Sequence, residues 1–522
     1  MLRPCTLLFL VVFAFAAPLN AGEKPNVVII LTDDLGFSDL GCYGAEIETP
    51  VLDRLAANGL RFTQFSNTAK CHSSRVSLLT GRWCRQAGDE EMNRAVTLPE
   101  VLGPAGYFNA MSGKWHLSKE PTDFGFDRFF GHLSGATHFF RGDNTFRLNG
   151  EPWQVPDSGF YTTIAKVDFA LEFLAEARKE EKPWFLYLAF NAPHAPIHPL
   201  KEDYEKYKDR YHVGWDVIRE RRIDRMIELG ILREDLETAG RPDHIPAWDD
   251  LAPELREWES KRMAGYAGMI DRVDRELGRL VADLEAAGEL ENTLIVFFSD
   301  NGACPYDRNN PLWEDVPYNP ETRWTDSTGW AWARNAPYRF YKQNQFEGGV
   351  ATPAIFHWPA GIKTEPGAFD RTPAHLVDVL PTVAEIAGAE IPFTFPGREP
   401  TPLAGVSLAP ILAGGALEHR PPIHFLHDKD RGLRDGDWKI VSFRSGPWEL
   451  YNLKNDPTEL RDLAAEQAER VEKMSAEWHR MTRDVLMAPE REQRPVATEH
   501  QPKHHPEWSN YHPEPGRHTG NR

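Results

Sequence analysis

Two pairs of adjacent polar residues stand where a metal-assisted hydrolase needs them. Asp33-Asp34 follows the apolar run 25–31, and Asp300-Asn301 follows the apolar run 294–298. Together they offer three carboxylates and one amide oxygen, hard donors that suit Ca²⁺, or less well Mg²⁺, better than zinc. Neighbouring carboxylates with no cation between them repel one another. Each pair also has an ordinary explanation, since Asp caps helices and Asp-Asn-Gly makes turns. Two further apolar runs end the same way. Ser112-Gly113-Lys114-Trp115-His116 follows 107–111, and Asn191-Ala192-Pro193-His194 follows 184–190. Lysine neutralises an anion and histidine moves protons near neutral pH, so the four segments complement one another.

The stretch from Lys70 to Arg82 contains Cys71, Ser73, Ser74, Arg75, Leu78, Leu79 and Gly81. It reads as a loop entering a helix. Ser73 or Ser74 caps the helix, Leu78 and Leu79 face the core, and Gly81 ends it. Cys71 then sits near a helix N-terminus, where free N–H groups favour an anion. A buried structural cysteine ahead of a helix is the plainer alternative. Cys42, Cys84 and Cys304 have neither the density of a disulfide scaffold nor the paired spacing of a zinc site, and are expected to be structural.

These residues need a scaffold that brings distant segments together. The runs 25–31, 107–111, 184–190, 294–298 and 350–357 are short and apolar, as strands buried on both faces are. Helical spacing is present over 50–59 and again over 253–287, where Met263, Tyr266, Ile270, Val273, Leu277, Leu280 and Leu284 recur every three or four residues. Such alternation predicts an α/β fold: a large mixed sheet sandwiched by helices, over residues 22–420. The texture changes near 421. Strands over 438–443 and 448–453 and a helix over 459–486 predict a smaller C-terminal α+β subdomain of antiparallel strands and a helix, to about 488. Residues 489–522 are polar and Pro-rich and predict an extended or disordered tail, in which His504 and His505 are solvated. In open α/β sheets, sites form beyond the carboxyl ends of the strands. Parallel strands would therefore place the four polar segments along one edge.

Composition narrows the function. Of 522 residues 41% are hydrophobic and 26% charged, as in an ordinary globular chain, and the net charge is -19. An acidic surface repels a phosphate backbone, which argues against nucleic acid as a partner. An anionic substrate must then be drawn in by a local cationic site. The N-terminus has Arg3, the apolar run 7–17, and small residues at 21 and 22. That pattern is an export signal over 1–21, shorter than a membrane-spanning helix. The expectation is a protein that is secreted or periplasmic and not stably inserted in a membrane.

The 70–82 segment resembles the sulfatase signature: a cysteine, then Pro, Ala or Ser two positions on, then Arg, then Leu-Thr-Gly-Arg. Ser73 stands at the variable position. Gly113-Lys114-Trp115-His116-Leu117, Phe297-Phe298-Ser299-Asp300-Asn301-Gly302 and Glu449-Leu450-Tyr451-Asn452-Leu453 are similar to further segments of that family. The resemblance runs from 24 to about 464. Residues 335–343 are closest to its bacterial arylsulfatase branch.

The resemblance implies a formylglycine-dependent enzyme of the alkaline-phosphatase-like superfamily. A maturation enzyme would oxidise Cys71 to formylglycine, whose hydrate attacks sulfur. The alcohol leaves, and loss of a proton from the second hydroxyl expels sulfate and restores the aldehyde. It implies one Ca²⁺ held by Asp33, Asp34, Asp300, Asn301 and residue 71. Arg75 orients the nucleophile, Lys114 and Lys342 bind sulfate, His116 is the base, and His194 is the acid with Lys342. Ser134 adds a sulfate contact. The substrate is a sulfate ester, either an aryl sulfate or a sulfated carbohydrate. Trp313, Trp324, Trp330, Trp332 and Tyr338 fall in a long polar segment expected to form a rim above the site, with core packing as the alternative. Two other functions fit the same residues: a phosphate mono- or diester hydrolase on this scaffold, and a non-catalytic binder of sulfated glycans.

Overall fold

The structure, a computed structural model, describes residues 24–308, 311–497, 499 and 508. The expected export signal lies outside the described residues, as do His504 and His505. Among the described residues, no helix is long and apolar enough to cross a membrane.

Five strands form the middle of a ten-stranded mixed sheet, in the order Thr293–Ser299, Asn26–Asp33, Trp184–Pro193, Phe108–Lys114, Arg128–His132, all parallel to their neighbours. The strand Ala354–His357 runs antiparallel beside Thr293–Ser299, and short strands finish both edges. Val27, Ile29 and Leu31 pack on one face with helix Cys71–Thr80, through Val76, Leu78 and Leu79. Val28 and Ile30 pack on the other with helices Thr162–Lys179 and Pro253–Ala286, through Val167, Leu174, Ile270 and Leu277. Successive side chains of a strand point to opposite faces, so a strand covered on both sides must be apolar throughout. Each such side chain contributes about 1.5–3 kcal/mol by leaving water. These packing demands produce the expected sandwich.

Register puts the polar ends side by side. Leu31 pairs with both Ala189 and Phe298, and Gly113 pairs with Ala189. Asp33 pairs with Pro193 across an irregularity that shifts the register after Leu31. A bulge of this kind re-aims the side chains beyond it.

The C-terminal sheet is a four-stranded antiparallel meander, Ile423–His427, Asp430–Asp435, Trp438–Ser442 and Glu449–Asn452. Its first two strands are not among those read from the sequence. The helix expected over 459–486 begins later, at Ala468, and runs to Arg480 before a π-turn over Met481–Val485. The delay has a local cause. The Asp456 carboxylate accepts from the backbone N–H groups of Leu460 and Arg461, and Glu459 adopts a φ of +57°. Side-chain bonds of this sort offer the backbone an alternative to helix. In the tail, residues 490–493 form a short helix whose Glu492 pairs with Arg85, and Trp508 is buried against Tyr341 and His244.

Candidate active site

The carboxyl ends of the central strands meet at one buried point. Asp33, Asp34, Asp300 and Asn301 are all fully inaccessible, and Cys71 is nearly so. Candidate ligand atoms of Asp33, Cys71 and Asp300 lie within 4.8 Å of one another, and so do those of Asp33, Asp34 and His194. Cys71 is the first residue of its helix, with Lys70 at the cap position and Gly81 closing the far end at a φ of +65°. Neither Ser73 nor Ser74 caps it as expected: both lie inside the helix, and their hydroxyls donate to the Lys70 and Asp300 carbonyls. Asp34 takes a φ of +67°, a region that side chains other than glycine seldom occupy. The turn so formed aims two successive carboxylates at the same place.

Three oxygens in this cluster, Asp33 Oδ1, Asp34 Oδ2 and Asn301 Oδ1, are buried without a hydrogen-bond donor. Buried polar atoms are rarely left in that state. Three carboxylate groups and an amide oxygen form an oxygen-rich donor set, which fits a hard divalent cation. Asp300 responds to the same crowding. Burial and the neighbouring charge of Asp33 push its pKa up to about 7, against the pull of Arg75. A cation among these oxygens would reverse that pressure.

Three fixed cations face the three carboxylates. Arg75 is fully buried; its Nη2 donates to Asp300 Oδ2 at 2.9 Å and its Nη1 to the Lys114 carbonyl at 2.7 Å. The Lys114 ammonium donates to Asp33 Oδ2, and the Lys342 ammonium to Asp34 Oδ1. Burial opposes ionisation of both aspartates, but Lys114 and His194 hold Asp33, and Lys342 and His194 hold Asp34, far below the usual carboxylate range. Lys114 is seated by close backbone packing. A Cβ on Gly113, at a φ of +130°, would lie 1.8 Å from the Ala189 carbonyl oxygen, so only glycine fits there.

The histidines flank this centre. His194 donates from Nδ1 to the Ala195 carbonyl at 2.6 Å, which turns Nε2 toward Asp34 Oδ2 at 3.6 Å. Burial lowers its pKa, with Asp33 and Asp34 resisting. His116 has a φ of +56°, and its ring packs against Gly135, where a Cβ would come within 2.5 Å of Nε2. Burial, then the charges of Lys114 and Arg75, drive its pKa far down, so it is a neutral imidazole at physiological pH. The structure therefore brings together Asp33, Asp34, Cys71, Arg75, Lys114, His116, His194, Asp300, Asn301 and Lys342. Ser134 is engaged elsewhere: its hydroxyl donates to Asp143 at 2.7 Å within the turn that it begins.

Other residues at this centre carry no recognisable motif. Asp326 joins Asp34 and Cys304 in a third close group and pairs with Arg334 at 2.8 Å. The Lys166 ammonium is fully buried and donates to Asn191 Oδ1. Lys166 lies on the apolar face of helix Thr162–Lys179 with Ala170 and Phe173, and a lysine on such a stripe is the signal that marks it. Of the five aromatic residues expected at a rim, Trp324, Trp330, Trp332 and Tyr338 are buried. Trp330 stacks edge-on with Trp215 and Trp248. They pack the core, and Trp313 alone of the five is exposed.

Comparison with known proteins agrees with this geometry. The sulfatase family matches residues 25–389, and the family described as N-sulphoglucosamine sulphohydrolase, C-terminal, matches 337–484. An uncharacterized sulfatase of Schizosaccharomyces pombe is 32% identical over 72% of this chain and 77% of its own length. The arylsulfatase of Klebsiella aerogenes is 31% identical over 74% of this chain and 92% of its own. Among solved structures, Ps i-CgsB in complex with k-i-k-neocarrahexaose superposes with a TM-score of 0.65 at 25% identity, covering 87% of this chain and 92% of that one. A family match over most of the chain, with relatives above 30% identity, makes this protein a member of the sulfatase family, whose members are hydrolases of sulfuric esters.

Proposed function

We propose that the protein is an exported sulfatase of arylsulfatase type, which hydrolyses sulfate esters to an alcohol or phenol and inorganic sulfate. The observation that carries this reading is the junction of Cys71 with Asp33, Asp34, Asp300 and Asn301, where three buried oxygens have no donor. Ca²⁺ at Asp33, Asp34, Asp300, Asn301 and residue 71 supplies Lewis-acid charge for a sulfate oxygen, and formylglycine at position 71 supplies a hydrated aldehyde as nucleophile.

Charge balance supports the same reading. Three carboxylates face Arg75, Lys114 and Lys342, so the protein's own groups sum to about zero. Such a site accepts a dication and an anionic ester together with little net cost in charge. Arg75 then orients the nucleophile. Lys114 and Lys342 turn their ammonium groups to sulfate oxygens and stabilise charge that grows in the transition state. His116, held neutral, is the base that takes a proton from residue 71. His194 gives a proton through Nε2 to the leaving oxygen, with Lys342 beside it. Removing a proton from residue 71 and adding one to the departing alkoxide are opposite tasks, and the two histidines stand on different segments of the site. The sequence similarity to an arylsulfatase favours aryl sulfates as laboratory substrates.

The test is mass spectrometry of the peptide containing Cys71 from the native host, coupled to turnover of matched 4-nitrophenyl sulfate and phosphate. Formylglycine with preferential release of sulfate supports the reading. Preferential turnover of the phosphate would replace it with the phosphohydrolase alternative. An unmodified thiol that binds sulfated sugars without turnover would replace it with the glycan-binding one.

A further inference from the structure

A cavity of about 1110 Å³ opens beside the active site. Its inner wall includes His72 and Ser73, the two residues after Cys71. Its outer wall is the turn between the strands Ile423–His427 and Asp430–Asp435, together with residues of the 491–497 segment. A smaller cavity on the other side of that turn is lined by Lys342, Asn344 and, again, His427. The His427 ring lies 6.5 Å from that of His72, and His72 lies 6.0 Å from His116. The turn thus lies between the two cavities, and the larger one begins at His72 and Ser73, next to Cys71.

Charge in this cavity runs against the rest of the molecule. Arg85, Lys429, Arg431, Arg444, Arg491 and Arg494 line it, six cations against the four acids Asp89, Glu90, Asp428 and Glu492. The whole chain has 59 Lys and Arg against 78 Asp and Glu. Arg85 is neutralised by Asp89 and Glu492. Lys429, Arg444 and Arg494 are exposed and form no salt bridge among the described residues. Arg444 is fixed at a φ of +48°, with its backbone N–H donating to Asp430 Oδ1 at 3.3 Å. Among the described residues no Phe, Tyr or Trp lines the cavity, so an aryl group entering it would find none of their rings to stack on. Its volume also exceeds the roughly 300–1,000 Å³ of pockets for single small ligands.

We infer that this cleft is a saccharide subsite in which Lys429, Arg444 and Arg494 bind a second anionic group, a sulfate or carboxylate, on a sugar unit adjoining the one whose sulfate ester meets residue 71. The inference rests on the sulfatase reading for the placement of the reacting ester. The guanidinium fork of Arg444 and Arg494 matches a tetrahedral or planar oxyanion, and Lys429 adds a mobile point charge. The natural substrate is then an oligosaccharide with at least two anionic groups. A simple aryl sulfate occupies only the reacting end.

The test uses the full-length protein and two probes, a sulfated carrageenan hexasaccharide and its desulfated counterpart, titrated calorimetrically. The sulfated probe binds more tightly, and added salt weakens it. Replacing the three cations together (Lys429→Ala, Arg444→Ala, Arg494→Ala) weakens that binding by about tenfold. The KM for 4-nitrophenyl sulfate changes by less than about twofold, because that substrate does not reach the subsite. Equal binding of both probes, no binding of the sulfated one, or equal losses on oligosaccharide and aryl sulfate would overturn the inference. Retained, charge-dependent binding without turnover of any sulfate ester would instead remove the sulfatase reading and leave the subsite standing.

Discussion

Lys439, on the third strand of the C-terminal sheet, places its Nζ 2.6 Å from Glu347 Oε1, across the boundary with the large sheet. A second carboxylate, Glu459 Oε1, lies 2.9 Å from the same ammonium. All three residues are buried. Glu347 opens the short helix Glu347–Val350, five residues after Lys342. The C-terminal sheet therefore braces the segment that delivers a lysine to the active site.

Lys439→Met removes the cation and leaves two buried carboxylates facing each other. Burial raises the pKa of Glu459, and Lys439 is the charge that holds it down. Breaking a buried pair from one side costs about 3–5 kcal/mol. The thermal midpoint should fall by several degrees, and the KM for an aryl sulfate should rise as Lys342 loses its support. An unchanged midpoint would mean that the triad does not brace the two sheets.

Asp300→Ala removes one of the proposed cation's ligands and the partner of Arg75. Ca²⁺ binding and turnover should both be lost, with the fold largely retained. Asp300→Asn keeps the shape and discards the charge, and should still weaken Ca²⁺ by at least about 100-fold. Calorimetric titration with Ca²⁺ and circular dichroism separate loss of the ion from loss of the fold. Full turnover by Asp300→Ala would remove this residue from the ligand set.

His194→Ala should act selectively. A general acid contributes about 10²–10⁴-fold where the leaving group needs a proton. Alkyl sulfates should lose activity on that scale, and 4-nitrophenyl sulfate, whose phenolate departs unaided, much less. Equal loss on both substrates would point to positioning by His194 rather than proton donation.

His375 should make the protein acid-labile. Its Nδ1 accepts from the Val377 N–H at 3.1 Å, and its Nε2 lies 3.1 Å from the Asn67 carbonyl, a pair of contacts that only the neutral ring satisfies. Burial lowers its pKa to about 3. A histidine with a depressed folded pKa binds its proton more readily when unfolded. Its contribution is complete above the unfolded value of about 6.5, and is lost as pH falls from there toward 3. The stability gap between wild type and His375→Gln should therefore narrow by about 1.6 kcal/mol from pH 6.5 to 5. Chemical denaturation of both proteins across that range measures it, and a constant gap would show that His375 is not the group titrating.

Much of the active centre was legible because the four strands that feed it contain no charged residue until they end. Asp33, Lys114, His194 and Asp300 stood out as the first ionisable groups after apolar runs, and parallel pairing put those ends together. Legibility failed where that rule has no purchase. Asp326 lies in a loop with no apolar run before it, and its closeness to Asp34 is purely tertiary. Trp324, Trp330 and Trp332 sit in a stretch whose mean polarity hides a buried aromatic cluster. The late start of the helix at Ala468 depends on side-chain bonds from Asp456, and helical periodicity does not register those. The strands Ile423–His427 and Asp430–Asp435 carry His, Asp and Arg along with their apolar residues, which masks the alternation. Lys166, by contrast, is marked in the sequence itself, as a lysine on an apolar stripe.

The burial of Cys71 bears on time as well as place. The residue is 2% exposed and opens a helix in which Ser73, Ser74 and Arg75 are buried too. A sulfate group is small enough to be handed in through the cleft, but another protein's catalytic centre is not. Any enzyme that alters this side chain needs the 70–75 segment extended and free, a shape that the finished helix forbids. If residue 71 is altered as proposed, the alteration must race the collapse of the chain, and a variant that folds faster than it is modified would be intact, well packed and inert.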